Sequence, residues 1–177
     1  MKDLMIDLET LDTTATCVIV SIGAVPFDLD RGVILDGAFY CVLDVNNQPG
    51  RTTSESTLKW WSEQSAEARA VFDAPDQITL PEGLERLRTF VGQHQPRVWS
   101  NGANFDQPIL TNAFAQHGIR EPWPFWGSRC VRTYAGLPGA DRVPRVKPSV
   151  AHNALADAEA QAQWVINIHK ALFGAKR

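Results

Sequence analysis

Residues 5–10 have the sequence M-I-D-L-E-T. This stretch overlaps the first of three strand-like runs in the chain and extends beyond its end. The runs are residues 4–7, 17–27 and 33–43; they are rich in Val, Ile and Phe, and turn signals such as D-L-D-R-G at 28–32 separate them. Consecutive strands joined in this way form a meander. We therefore expect the first three strands to be antiparallel neighbours.

The apolar spacing changes to a helical period after residue 43. The pattern predicts five helices. The first spans residues 57–62, a short second one is capped by Ser65, and a third opens with a Thr79–Glu82 capping box. The fourth lies between Pro108 and Gly118, and the last spans residues 154–173. A further short strand is predicted at 97–100. This order predicts an α/β fold in which one mixed sheet is flanked by helices, with residues 1–177 as a single domain.

The composition is that of an ordinary folded domain, with 44% hydrophobic and 21% charged residues. The net charge of -3 argues only weakly against a nucleic-acid partner, because a catalytic site needs positive charge locally. Cys17, Cys41 and Cys130 are too scattered for a C-x-x-C motif, and an odd number of cysteines favours the reducing cytoplasm. No run approaches the length of a membrane span, and acidic residues interrupt the first run, so we expect neither a membrane partner nor an export signal.

Asp7 and Glu9 are two residues apart on the first predicted strand, so their side chains leave the same face. Two neighbouring carboxylates repel each other, and one of them takes up a proton unless a positive charge compensates the pair. A divalent cation provides that compensation. The alternative is an acidic pair on an edge strand that faces water.

Asp106 stands two residues before Pro108, where an aspartate commonly caps a helix. The turn sequence N-G-A-N at 101–104 brings a strand end sharply into that helix. Ligands collect where strand ends face helix starts in α/β sheets. Asp106 is therefore a candidate site residue, and a plain capping role is the alternative.

Asp157 shares one side of the last predicted helix with the apolar residues Val165 and Ile168. A carboxylate turned toward a core needs a cation or several hydrogen-bond donors. We expect Asp157 to be a metal ligand. A structural ion pair with Arg129 or Arg132 is the alternative.

His152 lies five residues before Asp157, in the predicted loop that leads into the last helix. A histidine can take a proton from an activated water at physiological pH. Together these residues predict phosphodiester hydrolysis with two divalent cations roughly 4 Å apart and His152 as general base. Oxygen ligands suit Mg²⁺, and Mn²⁺ is a plausible substitute.

Three ordered motifs in this chain resemble those of the DEDDh exonucleases of the ribonuclease H-like superfamily. The motifs are D-L-E-T at 7–10, G-A-N-F-D at 102–106 and H-x-A-x-x-D at 152–157. The resemblance implies that Asp7, Glu9, Asp106 and Asp157 ligate two metals and that His152 is the base. It further implies 3′ to 5′ polarity, release of nucleoside 5′-monophosphates, and a five-stranded sheet whose first three strands are antiparallel.

The stretch T-L-K-W-W-S-E-Q-S-A-E-A-R at 57–69 is similar to a bacterial and phage subgroup. That subgroup includes exonuclease VIII-like proteins and a mycobacterial exoribonuclease that acts on 3′ adenylate tails. Members of the subgroup are often dimers, so the resemblance implies that this protein forms a homodimer. We expect activity on the 3′ ends of single-stranded nucleic acid, with RNA favoured slightly over DNA. The alternatives are a non-catalytic nucleic-acid-binding module and a hydrolase of very short oligonucleotides.

The resemblance also implies contacts with the terminal nucleotide. The candidate contact residues are Leu8, Thr10, Leu11, Phe105 and one of the adjacent pair Trp60 and Trp61, with Trp61 preferred. A tryptophan at helical spacing is also typical of a core position. In the loop before His152, the basic residues Arg142, Arg145 and Lys147 either contact phosphates or form a solvated basic loop.

Overall fold

In the computed structural model, residues 1–174 are described, and they form one mixed sheet with helices on both faces. The last three residues of the predicted domain, 175–177, lie outside the described residues. The strands are β1 (Asp3–Thr10), β2 (Ile19–Asp28), β3 (Val33–Ile34), β4 (Phe39–Val42), β5 (Arg97–Ser100) and β6 (Ser128–Cys130). The helices are α1 (Glu55–Ser62), α2 (Ala66–Arg69), α3 (Leu80–Val91), α4 (Asp106–Gln116), α5 (Val131–Ala135) and α6 (Ala154–Phe173).

The sheet has the strand order β3-β2-β1-β5-β6, and β4 also pairs with β2. The pairs of β2 with β1, β3 and β4 are antiparallel, whereas β1–β5 and β5–β6 are parallel. The predicted α/β class and the antiparallel start of the sheet are confirmed. Because β1 and β5 are parallel, their carboxyl ends meet at the same edge of the sheet.

The sheet contains six strands within residues 1–174, where five were expected. The predicted third run, 33–43, is divided into β3 and β4, which pair with different parts of the same edge of β2. Gly37 lies in the gap with a positive φ of 81°, a backbone conformation that does not continue a strand. One predicted edge strand is therefore two short ones.

The side chains of β1 alternate between the two faces of the sheet. Leu4, Ile6 and Leu8 belong to a core cluster with residues of α3 and α4. Met5 belongs to a second cluster with residues of α6. Asp7 lies two residues after Met5, and residues two apart on a strand share a face, so the carboxylate of Asp7 points toward the α6 side of the sheet.

The starts of α2 and α3 follow the predicted capping residues. Ser65 accepts a hydrogen bond from the N–H of Ala68 at the start of α2, and Thr79 accepts one from the N–H of Glu82 at 3.4 Å. The capping box is only half formed, because the Glu82 carboxylate instead accepts from Arg86 at 2.6 Å. The predicted bounds of the last helix, 154–173, match α6.

The start of α6 lies directly against the middle of β2. A Cβ atom added to Gly23 would stand 2.2 Å from the carbonyl oxygen of Ala154 and 2.5 Å from the nitrogen of Leu155. Gly23 is also the strand partner of Asp7. The absence of a side chain at Gly23 therefore brings the first turn of α6 over the acidic end of β1.

The described helices include none with the length and apolar character that a membrane span requires.

Candidate active site

Three carboxylates from distant parts of the chain meet beside the end of β1. Each of Asp7, Glu9 and Asp157 offers a carboxylate oxygen, and these oxygens all lie within 4.8 Å of one another. Asp7 and Glu9 come from β1, whereas Asp157 comes from the first turn of α6. The alternative that Asp7 and Glu9 face water as an edge-strand pair is wrong, because β1 stands between β2 and β5 in the sheet and Glu9 is buried.

Asp106 joins the cluster from the start of α4. Its Oδ1 accepts a hydrogen bond from the backbone N–H of Leu8 at 3.1 Å, and the residue is buried. Phe105, not Asp106, is the N-cap of α4. The Asp106 carboxylate therefore binds the backbone of β1 at Leu8, between Asp7 and Glu9, rather than capping its own helix.

Burial and mutual repulsion raise the pKa values of Asp7 and Glu9. For Asp7, burial raises the pKa well above its usual range, and the negative charges of Asp106 and Glu9 raise it further. Burial is also the main reason that the pKa of Glu9 rises to about 8, with added repulsion from Asp157. Ionising these groups together is costly unless a positive charge enters the cluster.

The pKa values of the other two carboxyls, those of Asp106 and Asp157, are raised as well. Burial raises the pKa of Asp106 to about 7, although the N–H of Leu8 and the charge of Arg132 oppose this rise. Burial also raises the pKa of Asp157, and the N–H of His152 opposes that rise. Four crowded carboxyls, with only oxygen donors, have the chemistry that a hard divalent cation prefers. The residues present therefore fit such an ion.

The alternative role of Asp157, an ion pair with an arginine, is wrong. Among residues 1–174, no arginine nitrogen lies within 4.0 Å of the Asp157 carboxylate. The Arg129 guanidinium donates to the carbonyl oxygens of Trp126 and Ser128 instead. Asp157 therefore faces Asp7 and Glu9 without a neutralising arginine among the described residues.

His152 lies in the loop before α6, as predicted, and contacts Asp157 through its backbone. Its N–H donates to Oδ2 of Asp157 at 2.9 Å, which requires the unusual positive φ of 60° for a residue with a side chain. Its imidazole packs edge-on against Trp60, with ring centroids 4.7 Å apart. The backbone hydrogen bond thus holds the Asp157 carboxylate, and the contact with Trp60 holds the imidazole.

The two adjacent tryptophans of α1 have different environments. Trp61 is 3% exposed, and its indole N–H donates to the carbonyl oxygen of Thr10 at 2.9 Å. Trp60 is 39% exposed and contacts the imidazole of His152. The preference for Trp61 as a base-stacking residue conflicts with its burial, because a ring enclosed in the core has no free face for a base. Trp60 is the exposed member of the pair.

The remaining predicted contact residues lie close to the acidic cluster but are largely enclosed. Leu8 and Leu11 are buried, and the Leu8 N–H already binds Asp106. The Thr10 hydroxyl donates to the carbonyl oxygen of Asp12. Phe105 is half-buried and packs against the core cluster of β1 and α4. Their contact with a nucleotide stays a prediction.

Gln161 is a site residue that the sequence analysis did not identify. Its Nε2 donates to Oδ1 of Asp7 at 2.7 Å, and the residue is 5% exposed. Its Oε1 is buried without a hydrogen-bond partner among the described residues. Gln161 follows Asp157 by four residues, and the i,i+4 spacing on a predicted helix is the signal that could have found it.

Comparison with known proteins places this geometry in a family. A model of the 3′–5′ exoribonuclease Rv2179c-like domain matches residues 2–169, almost the whole chain. The exodeoxyribonuclease of Enterobacteria phage T4 is 24% identical over 159 residues, a match that covers 75% of this chain and 70% of the phage protein.

Solved structures show the same fold at low sequence identity. The nuclease domain of 3′hExo, a DEDDh family member bound to rAMP, has a TM-score of 0.64 at 12% identity, over 98% of this chain and 94% of that one. Escherichia coli exonuclease I in complex with a dT13 oligonucleotide has a TM-score of 0.67 at 15% identity, over 95% of this chain. The chain spans 41% of that exonuclease I chain.

The predicted resemblance to DEDDh exonucleases and the ribonuclease H-like fold are thereby confirmed. The chain belongs to the family of 3′–5′ exoribonuclease Rv2179c-like domains, and it is a 3′–5′ exonuclease.

Proposed function

We propose that this protein is a metal-dependent exonuclease that removes nucleoside 5′-monophosphates from the 3′ ends of single-stranded nucleic acid. The observation that carries the proposal is the meeting of Asp7, Glu9 and Asp157 within 4.8 Å. Such a cluster has no evident structural use, because its members repel one another and lack a neutralising arginine among the described residues.

Asp7, Glu9, Asp106 and Asp157 are the residues that would hold two divalent cations, Mg²⁺ with Mn²⁺ as a substitute. When bound, the cations supply positive charge that activates water and stabilises the departing 3′ oxygen. The chain contributes the rest: Leu8 and Gln161 fix the orientations of Asp106 and Asp7 through their N–H donors.

His152 is the proposed general base. Its backbone N–H holds Asp157, and its imidazole, packed against Trp60, lies at the side of the cluster that α1 and the start of α6 border. From there a ring nitrogen would take the proton of the attacking water. Trp60, whose ring is partly exposed, is the proposed surface for stacking on the terminal base.

We favour RNA over DNA as the substrate because the family model that spans the chain is that of an exoribonuclease domain. The phage T4 relative is named an exodeoxyribonuclease, so both sugars belong in the test. By resemblance to the family we also propose a homodimer. Three free cysteines favour the cytoplasm as its compartment.

The test is incubation with labelled single-stranded RNA and DNA, each with a free or a blocked 3′ hydroxyl, followed by resolution of the products by size. We expect mononucleotides from free 3′ ends in Mg²⁺, and none in EDTA. Asp157→Ala and His152→Ala should each lower the rate by about 100-fold or more. Glu159→Ala, an exposed acidic residue of the same helix, is the matched control and should keep the parent rate.

Two outcomes contradict the proposal. Full activity of Asp157→Ala would remove the acidic cluster from the mechanism. Binding of single strands without hydrolysis in Mg²⁺ or Mn²⁺ would indicate a non-catalytic binding module instead.

A further inference from the structure

The basic loop before His152 is attached to α6 by one aromatic side chain. Trp164 donates a hydrogen bond from its indole Nε1 to the carbonyl oxygen of Val143 at 3.3 Å. The guanidinium carbon of Arg145 lies 5.8 Å from the centroid of the same Trp164 ring. The loop is therefore held at two points, through its backbone and through one of its cationic side chains.

Trp164 lies on the same side of α6 as Asp157. Seven residues separate them, which is close to two helical turns and about 10 Å along the axis. The guanidinium carbon of Arg145 lies over the Trp164 ring, and so on this same side of α6. Arg145 therefore stands at the rim of the proposed active site, on its α6 side.

Arg145 is charged but not neutralised by a close acidic partner. No carboxylate of residues 1–174 lies within 4.0 Å of its guanidinium, and the side chain is exposed. A cation–π contact draws a guanidinium toward the ring face and leaves the N–H donors at its outer edge free. A phosphate group, which accepts two parallel hydrogen bonds from such an edge, is the ligand that fits.

We propose that Arg145, held in position by Trp164, binds a backbone phosphate of the substrate strand on the 5′ side of the bond that is cleaved. This inference rests on the proposed function. The 3′-terminal nucleotide occupies the acidic cluster, so every other phosphate of the strand lies on its 5′ side. Arg145 can therefore contact a phosphate of a strand of several nucleotides, whereas a substrate with a single phosphodiester has no phosphate that reaches it.

The test compares two substrates, a single-stranded RNA oligonucleotide and the p-nitrophenyl ester of a nucleoside 5′-monophosphate. Arg145→Gln should raise KM for the oligonucleotide about tenfold and reduce the slope of log(kcat/KM) against log salt concentration by about one. Hydrolysis of the ester should be unchanged. Arg86→Gln, the same charge change on α3 at the opposite face of the sheet, is the matched control and should keep the parent KM and slope.

Trp164 is tested by a double-mutant cycle with Arg145. Trp164→Leu should raise the oligonucleotide KM nearly as much as Arg145→Gln, and the double variant should be no worse than Arg145→Gln alone. Trp164→Phe keeps the ring without the indole N–H, so it should stay close to the parent and report on the stacking alone.

An unchanged KM and salt slope in Arg145→Gln would overturn the inference while leaving the proposed function intact. Independent, additive effects of the Trp164 and Arg145 changes would equally overturn it. If the parent protein hydrolyses neither substrate, the proposed function itself fails.

Discussion

At the scale of single residues, the burial of the polar side chain of Gln161 next to Asp7 needs an explanation. It is enclosed between α6 and β1, it donates to Asp7, and its own oxygen has no partner among the described residues. A buried amide oxygen without a hydrogen bond is unfavourable, so the contact that the Gln161 amide makes with Asp7 needs a reason other than stability. The donor orients a carboxylate that is proposed to bind metal, as residues behind metal ligands commonly do.

We expect Gln161→Leu to weaken Mn²⁺ binding by about tenfold or more, because Asp7 then loses the donor that orients it. Isothermal titration calorimetry with Mn²⁺ measures this loss directly, without recourse to activity. Gln163→Leu on the same helix is the matched control, since Gln163 donates to Asn167 and not to an acidic residue. Equal Mn²⁺ affinity in the two variants would contradict the role of Gln161.

The acidic residues could be predicted from the sequence because charge is conspicuous where a strand or helix should be apolar. The choice between Trp60 and Trp61 could not be predicted in the same way. The two residues differ by about 100° around α1, and both lie on a short helix. Which one is buried depends on how α1 docks against the end of β1, where Thr10 accepts the Trp61 indole N–H. Because that contact joins residues 51 positions apart, no pattern in the sequence around Trp60 and Trp61 predicts it.

At the scale of elements, the contact between β2 and the start of α6 sets the position of the proposed catalytic groups. Gly23 allows the backbone of Ala154 and Leu155 to approach within the space that a Cβ would need. Both His152 and Asp157 flank this contact. A displacement of α6 by a fraction of an ångström therefore moves both groups relative to Asp7 and Glu9.

We expect Gly23→Ala to lower the exonuclease rate by about 100-fold, because the added methyl group must push the first turn of α6 away from β1. The same change should lower stability by about 1–3 kcal/mol. Single-turnover rates and thermal melting curves measure the two effects.

Gly136→Ala is the control for Gly23→Ala. A Cβ at Gly136 would lie 3.4 Å from the nearest atom, an ordinary contact, and away from the start of α6. Its rate should stay near that of the parent. A Gly23→Ala protein with the parent rate would show that α6 has room to adjust without loss of the active geometry.

The last helix, whose signals are local, was predicted with its correct bounds, whereas the division of the third strand-like run, which depends on pairing, was not predicted. The last helix has an asparagine cap and a continuous apolar side, so its bounds of 154–173 were predicted correctly. The division of the third run into β3 and β4 depends on which residues of β2 are available as partners. The sequence of the run alone contains Gly37 but does not say that pairing stops there.

At the scale of the whole molecule, the fold brings together carboxyls that are up to 150 residues apart, and it does so at a cost that depends on pH. Between its ordinary value of 4.5 and its raised pKa of about 8, Glu9 keeps its proton in the folded protein but loses it in the unfolded chain. Asp106, raised to about 7, behaves in the same direction. The folded state therefore holds more protons than the unfolded state across this interval, and linkage requires the free energy of unfolding to fall as the pH rises.

We therefore expect the protein in EDTA to lose stability from pH 5 to pH 8, by at least about 1 kcal/mol or roughly 3 °C in Tm for a domain of this size. Excess Mg²⁺ should reverse this trend, because a cation binds the ionised carboxylates and its affinity rises as they lose their protons. Thermal melting at matched ionic strength, with and without Mg²⁺, measures both slopes. Asp7→Asn removes one of the repelling charges, so in EDTA it should melt higher than the parent at pH 8 and respond less to Mg²⁺. A metal-free Tm that rises between pH 5 and pH 8 would mean that these carboxyls are already compensated within the folded chain, and the need for a cation would disappear with that result.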